Sequence, residues 1–296
     1  MIDRACISLS NICNLRCKYC HFQDKQFDYT SFTMQELKII IDNIHNYCKE
    51  KGLTVFKLGI VGAGEPLLKK TELFALLEYI KANAYEEIKA YTISNATLMD
   101  EATIRQFYQH KDIIKVCISL DGYEELHNAG RASFRKVMEA IELYRQIFGC
   151  TPSINATVNK LSYENKENLV DFFLENGLND VTFSKLVGYS EKDLYISDVE
   201  YKEFLEYTKS RGLFTRQFRI EKKYDCTMYG ALCGVGRTNI FYTPEGIYPC
   251  GRFYKNDKYK LANSTDMLNV VEDSMKRLIP VCDGECYYQK HVEGKK

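Results

Sequence analysis

The sequence lacks three features that would assign a protein to membranes or to nucleic acid. It has no net charge, because 40 Lys and Arg residues balance 40 Asp and Glu residues, so no general positive field attracts nucleic acid or anionic lipid. It has no apolar run near the ~18 residues of a membrane span. The start MIDRACISLS has neither the basic residues nor the apolar stretch of a signal peptide. We therefore expect a cytoplasmic protein without nucleic-acid or membrane partners.

Cysteine, in contrast, is abundant, with 12 residues among 296. In a reducing compartment cysteines serve metal binding or catalysis more often than disulfides. Four scattered cysteines are interpreted as structural, since apolar runs such as ACISL and VCISL use a free thiol as a small hydrophobe; they are Cys6, Cys48, Cys117 and Cys150. The remaining cysteines form a triplet near the start and a group of five from Cys226 to Cys286.

Six apolar, β-branched runs alternate with six segments of helical periodicity. The apolar runs are ACISLS, VFKLGIVG, IKAYTISN, IIKVCISLDG, PSINATVN and DVTFSKLVG. Repeated strand and helix units predict a parallel sheet with right-handed connections. We expect an α/β fold with a partial (β/α)6 barrel over residues 1–212 and a small cysteine-rich domain over residues 213–296. Such a barrel carries its chemistry on the loops that follow the strands, and the triplet follows the first strand.

The stretch SNICNLRCKYCHF places Cys13, Cys17 and Cys20 in a CxxxCxxC pattern with no fourth cysteine nearby. Three thiolates at this spacing can ligate three irons of a [4Fe–4S] cube and leave the fourth iron open. A structural zinc site needs four closed ligands. His21 is the available fourth ligand, but it directly follows Cys20, which makes the geometry awkward. A group of core cysteines is disfavoured because NLRCKYC is polar.

The triplet resembles the CxxxCxΦC signature of the radical S-adenosylmethionine (radical SAM) superfamily, with Tyr19 at the aromatic position Φ. The resemblance implies that Cys13, Cys17 and Cys20 hold a [4Fe–4S] cluster whose open iron binds SAM. It further implies reductive cleavage of SAM to a 5′-deoxyadenosyl radical that abstracts a hydrogen atom from the substrate. An external electron donor such as flavodoxin or ferredoxin would then be required.

Segments after the next three strands are similar to motifs that contact SAM in this superfamily. They are GAGEPLL, which resembles the GGEP loop with Ala63 in place of one glycine, then TISNATL, SLDG and HNAGRASF. The resemblance implies SAM-binding roles for Tyr19, Gly64, Glu65, Ser94, Asn95, Ser119, Asp121 and Arg131. A Ser or Asn that ends a strand is also a common turn residue or helix cap. Arg131 has the further alternative of pairing with a surface acid.

The last third of the chain resembles the SPASM and twitch extensions of radical SAM enzymes. It combines a hairpin-like stretch, NIFYTPEGIYPC, a helix-like run, DMLNVVEDSMKRL, and the closing CDGEC. The resemblance implies that an auxiliary [4Fe–4S] cluster is held by Cys233, Cys250, Cys282 and Cys286. Five cysteines fit a one-cluster twitch domain better than a two-cluster SPASM domain. Cys226 is left as a substitute ligand, a hydrogen-atom donor to the substrate radical, or a residue without a role, and a four-cysteine zinc knuckle is the structural alternative.

The substrate follows least directly from the sequence. Twitch and SPASM enzymes modify ribosomally made peptides by crosslinking, thioether formation or epimerisation, or oxidise small-molecule alcohols and cofactor precursors. We expect peptide modification. The barrel begins within a few residues of Met1, so peptide recognition would be supplied by a separate protein. A non-catalytic iron–sulfur or zinc protein is the alternative of another class, and the GEP loop argues against it.

Overall fold

The computed structural model describes residues 1–22, 29–186, 192–213, 234–278 and 286–288. Eight strands form one sheet in the order β6-β5-β4-β3-β2-β1-β7-β8. The strands are β1 Arg4–Ile7, β2 Phe56–Ile60, β3 Ile88–Ser94, β4 Ile114–Ser119, β5 Ser153–Val158, β6 Val181–Lys185, β7 Asn239–Thr243 and β8 Gly246–Tyr248. Strands β1 to β6 pair in parallel with their neighbours in chain order, which confirms the predicted α/β barrel.

The described residues form nine α-helices; six of them coincide with the six segments of predicted helical periodicity, and a seventh coincides with the helix-like run DMLNVVEDSMKRL. The helices are α1 Met34–Lys51, α2 Lys70–Ala82, α3 Glu101–Gln109, α4 Glu124–Gly130, α5 Phe134–Phe148, α6 Lys160–Glu164, α7 Lys166–Glu175, α8 Asp198–Ser210 and α9 Leu268–Leu278. Helix α1 shows why the pattern works: Thr33 and Glu36 form a capping box at its start, and Gly52 ends it in the left-handed conformation. The sequence did not reveal α4 and α6, which have only seven and five residues.

The hairpin predicted from NIFYTPEGIYPC is present and extends the sheet of the barrel. Strand β7 pairs in parallel with β1, with Arg4 opposite Asn239, and β8 returns antiparallel to β7. Gly246 closes the turn with a φ of 149°, and an added Cβ would lie 2.8 Å from the carbonyl oxygen of Ala262, so a side chain would strain the turn. The proposed boundary at residue 212 follows α8, and the hairpin beyond it shares the barrel sheet.

Helix α9 is tied to the start of the chain by a buried acid. Glu272 receives the Met1 ammonium at 3.0 Å and the Tyr47 hydroxyl at 3.0 Å. Tyr47 in turn accepts the Ile2 amide at 2.9 Å. Burial alone would raise the pKa of Glu272, but these hydrogen bonds and the positive charges around it lower the pKa to about 2. The carboxylate therefore holds α1, α9 and the first residues together.

An aromatic ring on β3, that of Tyr91, packs against Gly59 on β2. A Cβ added to Gly59 would lie 2.5 Å from Tyr91 Cζ, so the ring occupies the space that a side chain on β2 would take. The Tyr91 hydroxyl lies 3.4 Å from Cys6 Sγ. Partial burial raises the pKa of Cys6, and Cys117 is buried. Both thiols therefore sit in surroundings that suit the structural role predicted for them.

Candidate functional site

A cavity of about 640 Å³ opens where the six parallel strands end. It brings together most of the residues that the sequence motifs singled out, although they come from five separate segments of the chain. Those that line it are Cys13, Cys17, Tyr19, Cys20, Gly64, Glu65, Asn95, Ser119 and Arg131. Ser94 and Asp121 do not line the cavity but form hydrogen bonds to the lining residues Glu65 and Arg131, respectively. The cavity is large enough for a cofactor or a small ligand.

The triplet forms a turn in the wall of the cavity, with the Cys20 amide donating to the Cys17 carbonyl at 3.0 Å. Burial raises the pKa of Cys17 to about 11, against the opposing effect of Arg131. Burial likewise raises the pKa of Cys13. In the described part of the chain, no three His, Cys, Asp or Glu side chains are close enough to hold one metal ion. Ligands of a four-iron cube each bind a different iron, so three thiols around one cavity fit a cluster better than a single ion.

The GAGE segment lies directly against the cysteine loop. A Cβ added to Gly64 would stand 2.3 Å from the Ile12 carbonyl oxygen and 2.7 Å from that of Ser10. The amide of Glu65 donates to the Ile12 carbonyl at 2.8 Å. Glycine is therefore required at position 64 by the close approach of two backbones. The neighbouring Ala63 donates its amide to Ser8 Oγ at 2.8 Å and is accommodated as a buried methyl group.

Glu65 is almost fully buried and is held by three donors. Ser94 Oγ donates to Oε1 at 2.6 Å, the Asn95 amide to Oε2 at 2.8 Å and the Leu67 amide to Oε1 at 3.2 Å. Burial raises the pKa of the carboxyl, while the donors act in the opposite direction. The side chain of Glu65 thus links the ends of β2 and β3. Asn95 lines the cavity, and its side chain donates to Asn14 on the cysteine loop at 2.9 Å.

Asp121 connects the end of β4 to the cysteine loop. Its Oδ2 accepts the Tyr19 hydroxyl and, at 2.9 Å, the Nε of Arg131, and its Oδ1 accepts the Thr157 amide at 2.8 Å. Arg131 continues the chain of contacts, with Nη1 lying 3.8 Å from Cys17 Sγ. Burial alone would lower the pKa of Arg131, but Asp121 and its other neighbours raise it, so the guanidinium stays charged. The SAM-binding roles assigned to Tyr19, Asp121 and Arg131 stay predictions, and the structure adds direct contacts among them.

His127 supports Asp121 from the far side as a neutral imidazole. The Asp121 amide donates to Nδ1 at 3.2 Å, and Nε2 lies 3.1 Å from the Ala132 carbonyl. These partners fix a tautomer in which Nδ1 accepts and Nε2 carries the proton. Burial lowers the pKa of His127, which agrees with a neutral ring. The segment that carries Arg131 is therefore anchored to the end of β4.

Sequence reasoning missed four lining residues at the ends of the last two parallel strands: Asn155, Thr157, Ser184 and Lys185. They lie within PSINATVN and DVTFSKLVG, which were interpreted only as buried strands. The available signal was the alternation of Ser153, Asn155 and Thr157 with apolar residues, which indicates a polar inner face. The last strand gave a weaker signal, because its two polar lining residues, Ser184 and Lys185, are adjacent and do not alternate with apolar residues.

Of the cysteines proposed for the auxiliary cluster, Cys250 and Cys286 are described, whereas Cys233 and Cys282 lie outside the described residues, as does Cys226. Burial raises the pKa of Cys250 to about 11, and Cys286 is near enough to add to this effect. The adjacent Gly251 packs against Phe22, two residues after Cys20, since an added Cβ would lie 3.0 Å from Phe22 Cζ. The Cys250 turn therefore packs beside the loop of the triplet.

The family follows from a comparison with known proteins. A family model described as the radical SAM superfamily matches residues 7–185. The chain belongs to this superfamily. The resemblance drawn from the cysteine triplet is thereby confirmed, and the matched residues run from the last residue of β1 to the last residue of β6 and include most of the cavity wall.

Similar proteins extend the likeness beyond the barrel. A cysteine-type anaerobic sulfatase-maturating enzyme of Clostridium novyi is 24% identical, over 85% of this chain and 74% of its own. The structure of anSMEcpe with bound AdoMet has 20% identity and a TM-score of 0.77, over 93% of this chain and 83% of its own. Streptococcus suis SuiB bound to precursor peptide SuiA has 20% identity and a TM-score of 0.71, over 92% and 64% respectively. Sulfatase-maturating enzymes and SuiB are SPASM/twitch radical SAM proteins, and this chain shares their fold.

The sequence predicts no membrane-spanning segment, and the helices of the structure can be compared with that prediction. No helix within the described ranges combines the length and the apolar character needed to cross a bilayer.

Proposed function

We propose that this radical SAM enzyme cleaves SAM reductively and uses the resulting radical to modify a ribosomally made peptide by crosslinking, thioether formation or epimerisation. The observation that carries the proposal is the shared cavity. The cysteine triplet, the GAGE segment and the polar ends of β3 and β4 all face one space of about 640 Å³. A three-cysteine cluster in that space would supply the electron that breaks the SAM sulfonium bond, at the iron left open by the protein.

The chain's own residues would hold and orient the cofactor. Cys13, Cys17 and Cys20 would ligate the cluster. The backbone around Gly64, together with Asn95 and Ser119 in the cavity wall, would bind the polar groups of SAM. Glu65 and Ser94 are hydrogen-bonded to each other, so we assign them the positioning of these loops. The buried position of Cys17 and the apolar contact of Tyr19 with Leu186 would restrict water at the cluster.

A second [4Fe–4S] cluster forms part of the proposal, with Cys233, Cys250, Cys282 and Cys286 as ligands. Four protein ligands would leave no iron open for the substrate, so the cluster would pass electrons. Its support is the placement of Cys250, which is partly buried, lies near Cys286 and stands next to the loop of the triplet. Cys226 stays a candidate substitute ligand or hydrogen-atom donor.

The peptide assignment is supported by the proteins that share the fold. SuiB is seen with its precursor peptide SuiA, and anSMEcpe with the peptide Cp18Cys. The small-molecule alternative is supported more weakly, since BtrN in complex with AdoMet and 2-DOIA has a TM-score of 0.52. An external donor such as flavodoxin or ferredoxin and a separate peptide-recognition protein would complete the system.

The first test is the formation of 5′-deoxyadenosine. The anaerobically reconstituted, dithionite-reduced protein should produce it from SAM, and Cys17→Ala should abolish the product. Cys150→Ala is the matched control, because Cys150 is an exposed thiol outside the cavity, and it should retain full activity. If the wild-type protein, loaded with iron and sulfide, makes no product, the radical SAM mechanism proposed for this chain is wrong.

The second test separates peptide from alcohol substrates. Short peptides encoded beside the gene are incubated with the reduced enzyme and SAM, and their masses are measured. Loss of two hydrogens in a peptide supports crosslinking or thioether formation, and deuterium uptake from D₂O without another mass change supports epimerisation. Unchanged peptides, together with SAM-dependent oxidation of an aminocyclitol, would overturn the peptide assignment.

A further inference from the structure

A guanidinium group stands beside a proposed ligand of the SAM-cleaving cluster. Arg131 Nη1 lies 3.8 Å from Cys17 Sγ, a distance at which an N–H group interacts with sulfur. Both groups are shielded from water: Cys17 is 9% exposed and the Arg131 side chain 13% exposed. The Arg131 guanidinium also stands over the Tyr19 ring, 5.4 Å from its centroid. The contact thus lies within the wall of the cysteine loop.

The position of Arg131 is fixed by a second charge. Asp121, which is 4% exposed, binds Arg131 Nε at 2.9 Å and also accepts the Tyr19 hydroxyl and the Thr157 amide. The Gly130 carbonyl accepts the Lys18 amide at 2.8 Å, and an added Cβ at Gly130 would lie 2.6 Å from Tyr19 Cε1. The segment before α5 is therefore clamped on the cysteine loop by backbone, ring and ion pair together.

Charged side chains that are shielded from water act strongly on a nearby redox centre, because water screens their charge only weakly. A positive group beside a ligand sulfur therefore stabilises the reduced form of a cluster, which carries the more negative charge. Hydrogen bonds to the sulfurs and local net charge are among the factors that set the reduction potential of an iron–sulfur cluster. A negative group that is equally shielded stabilises the oxidised form instead. Arg131 and Asp121 therefore have opposite effects on the reduction potential of the cluster.

We propose that the Arg131–Asp121 pair sets the reduction potential of the cluster held by Cys13, Cys17 and Cys20. Arg131 favours uptake of the single electron from a low-potential donor, and Asp121 limits this effect while holding the guanidinium at Cys17. The inference rests on the proposed function, because it requires the cluster at the triplet. It assigns Arg131 and Asp121 as positioning residues that act through Cys17.

The test is a potentiometric titration with dithionite, monitored by electron paramagnetic resonance in the absence of SAM. The signal of the triplet cluster is identified as the one missing from a variant with Cys13, Cys17 and Cys20 changed to Ala. Arg131→Gln should reduce the equilibrium constant for reduction at least tenfold, which is about 59 mV toward negative potential for one electron. Asp121→Asn should shift the potential in the positive direction, because it removes the opposing charge.

Three further variants separate electrostatics from loop damage. Arg131→Lys keeps the positive charge and should restore most of the wild-type potential. Tyr19→Phe keeps the ring and both charges and should leave the potential close to that of wild type. Arg135→Gln is the matched control, since the Arg135 side chain is 84% exposed and pairs with Glu124 on the surface; its potential should not change.

The outcomes distinguish this inference from the proposed function. A wild-type protein with no reducible cluster at the triplet would overturn both. A reducible cluster whose potential is the same in Arg131→Gln, Arg131→Lys and wild type would overturn only the inference. Shifts of the reduction potential with the same sign in Arg131→Gln and Asp121→Asn would also overturn the inference. Loosening of the loop would move the potential in the same direction in both variants, whereas removal of opposite charges moves it in opposite directions. If Asp121→Asn fails to retain iron, the inference is decided by the reduction potentials of Arg131→Gln and Arg131→Lys, which must differ if the charge at position 131 sets the potential.

Discussion

Ser94 donates a hydrogen bond of 2.6 Å to the buried carboxyl of Glu65, 29 residues earlier in the chain. The bond joins the loop after β2 to the last residue of β3. Both residues belong to segments that resemble SAM-contacting motifs, yet the contact between them is internal to the protein. The two motifs therefore share a structural task, which is to keep the GAGE segment and Asn95 at fixed positions around the cavity.

The first prediction concerns this hydrogen bond. Ser94→Ala should lower the free energy of unfolding by about 1 to 3 kcal/mol, because it leaves a buried carboxyl without one of its donors. Ser210→Ala, at an exposed position at the end of α8, should change it by less than ~0.5 kcal/mol. Urea unfolding of the two variants measures the difference. Equal stabilities would show that Glu65 does not depend on Ser94.

The second prediction concerns the close approach of two loops. Gly64→Ala should displace the cysteine loop, because the new methyl group would meet the carbonyl oxygens of Ile12 and Ser10 at 2.3 and 2.7 Å. We expect a loss of about 1 to 3 kcal/mol in stability and a large fall in iron retained at the triplet. The reverse change next to it, Ala63→Gly, creates no such contact and should retain iron. Full iron content in Gly64→Ala would contradict the described packing.

The third prediction concerns the number of clusters. A variant with Cys13, Cys17 and Cys20 changed to Ala should retain about four irons and four sulfides per chain after anaerobic reconstitution. These would belong to the cluster proposed for the C-terminal cysteines. Adding Cys250→Ala should remove them, whereas adding Cys150→Ala should not. A triplet variant that binds zinc, or no metal, would mean that the C-terminal cysteines do not transfer electrons.

The fourth prediction concerns Glu272 and pH. Its folded pKa of about 2 lies below the unfolded value of ~4.3, so the carboxylate stabilises the fold above the unfolded pKa. This contribution is lost as the pH falls toward 2. Glu272→Gln should cost about 2 kcal/mol at pH 7, and the difference from wild type should shrink by roughly half at pH 3.

The control for Glu272 is the next residue of α9. Asp273 is 72% exposed and also faces Lys276, so Asp273→Asn should have little effect at either pH. Urea unfolding at the two pH values provides the measurement. If Glu272→Gln lowers the stability equally at both pH values, the negative charge of Glu272 does not contribute to the stability, and the prediction is wrong.

The fold was largely predictable because its signals are local. The apolar runs of β1 to β6 and the periodicity of seven helices lie within short windows of sequence. Helices α4 and α6 escaped notice because they are too short to repeat an apolar stripe. The triplet likewise revealed itself by local spacing alone.

The contacts within the site were not predictable, because they join distant residues. Tyr19 and Asp121 are 102 positions apart, and nothing in YC or SLDG indicates that they meet. The lining residues Asn155 and Thr157 gave a signal of period two, but a polar residue in a strand more often faces solvent than a cavity. Side-chain partners depend on the closed barrel, and local patterns do not contain that information.

The position of β1 between β2 and β7 has a consequence for the newly made chain. Arg4 leaves the ribosome 235 residues before its partner Asn239. At ~5 to 20 residues per second this interval lasts roughly 10 to 50 seconds. During that time the strand leading to Cys13 has one unpaired edge, and the Cys250 turn that packs on Phe22 does not yet exist. The packing of the Cys250 turn beside the triplet loop is therefore completed only after this interval, which favours insertion of the proposed cluster once β7 and β8 have been made.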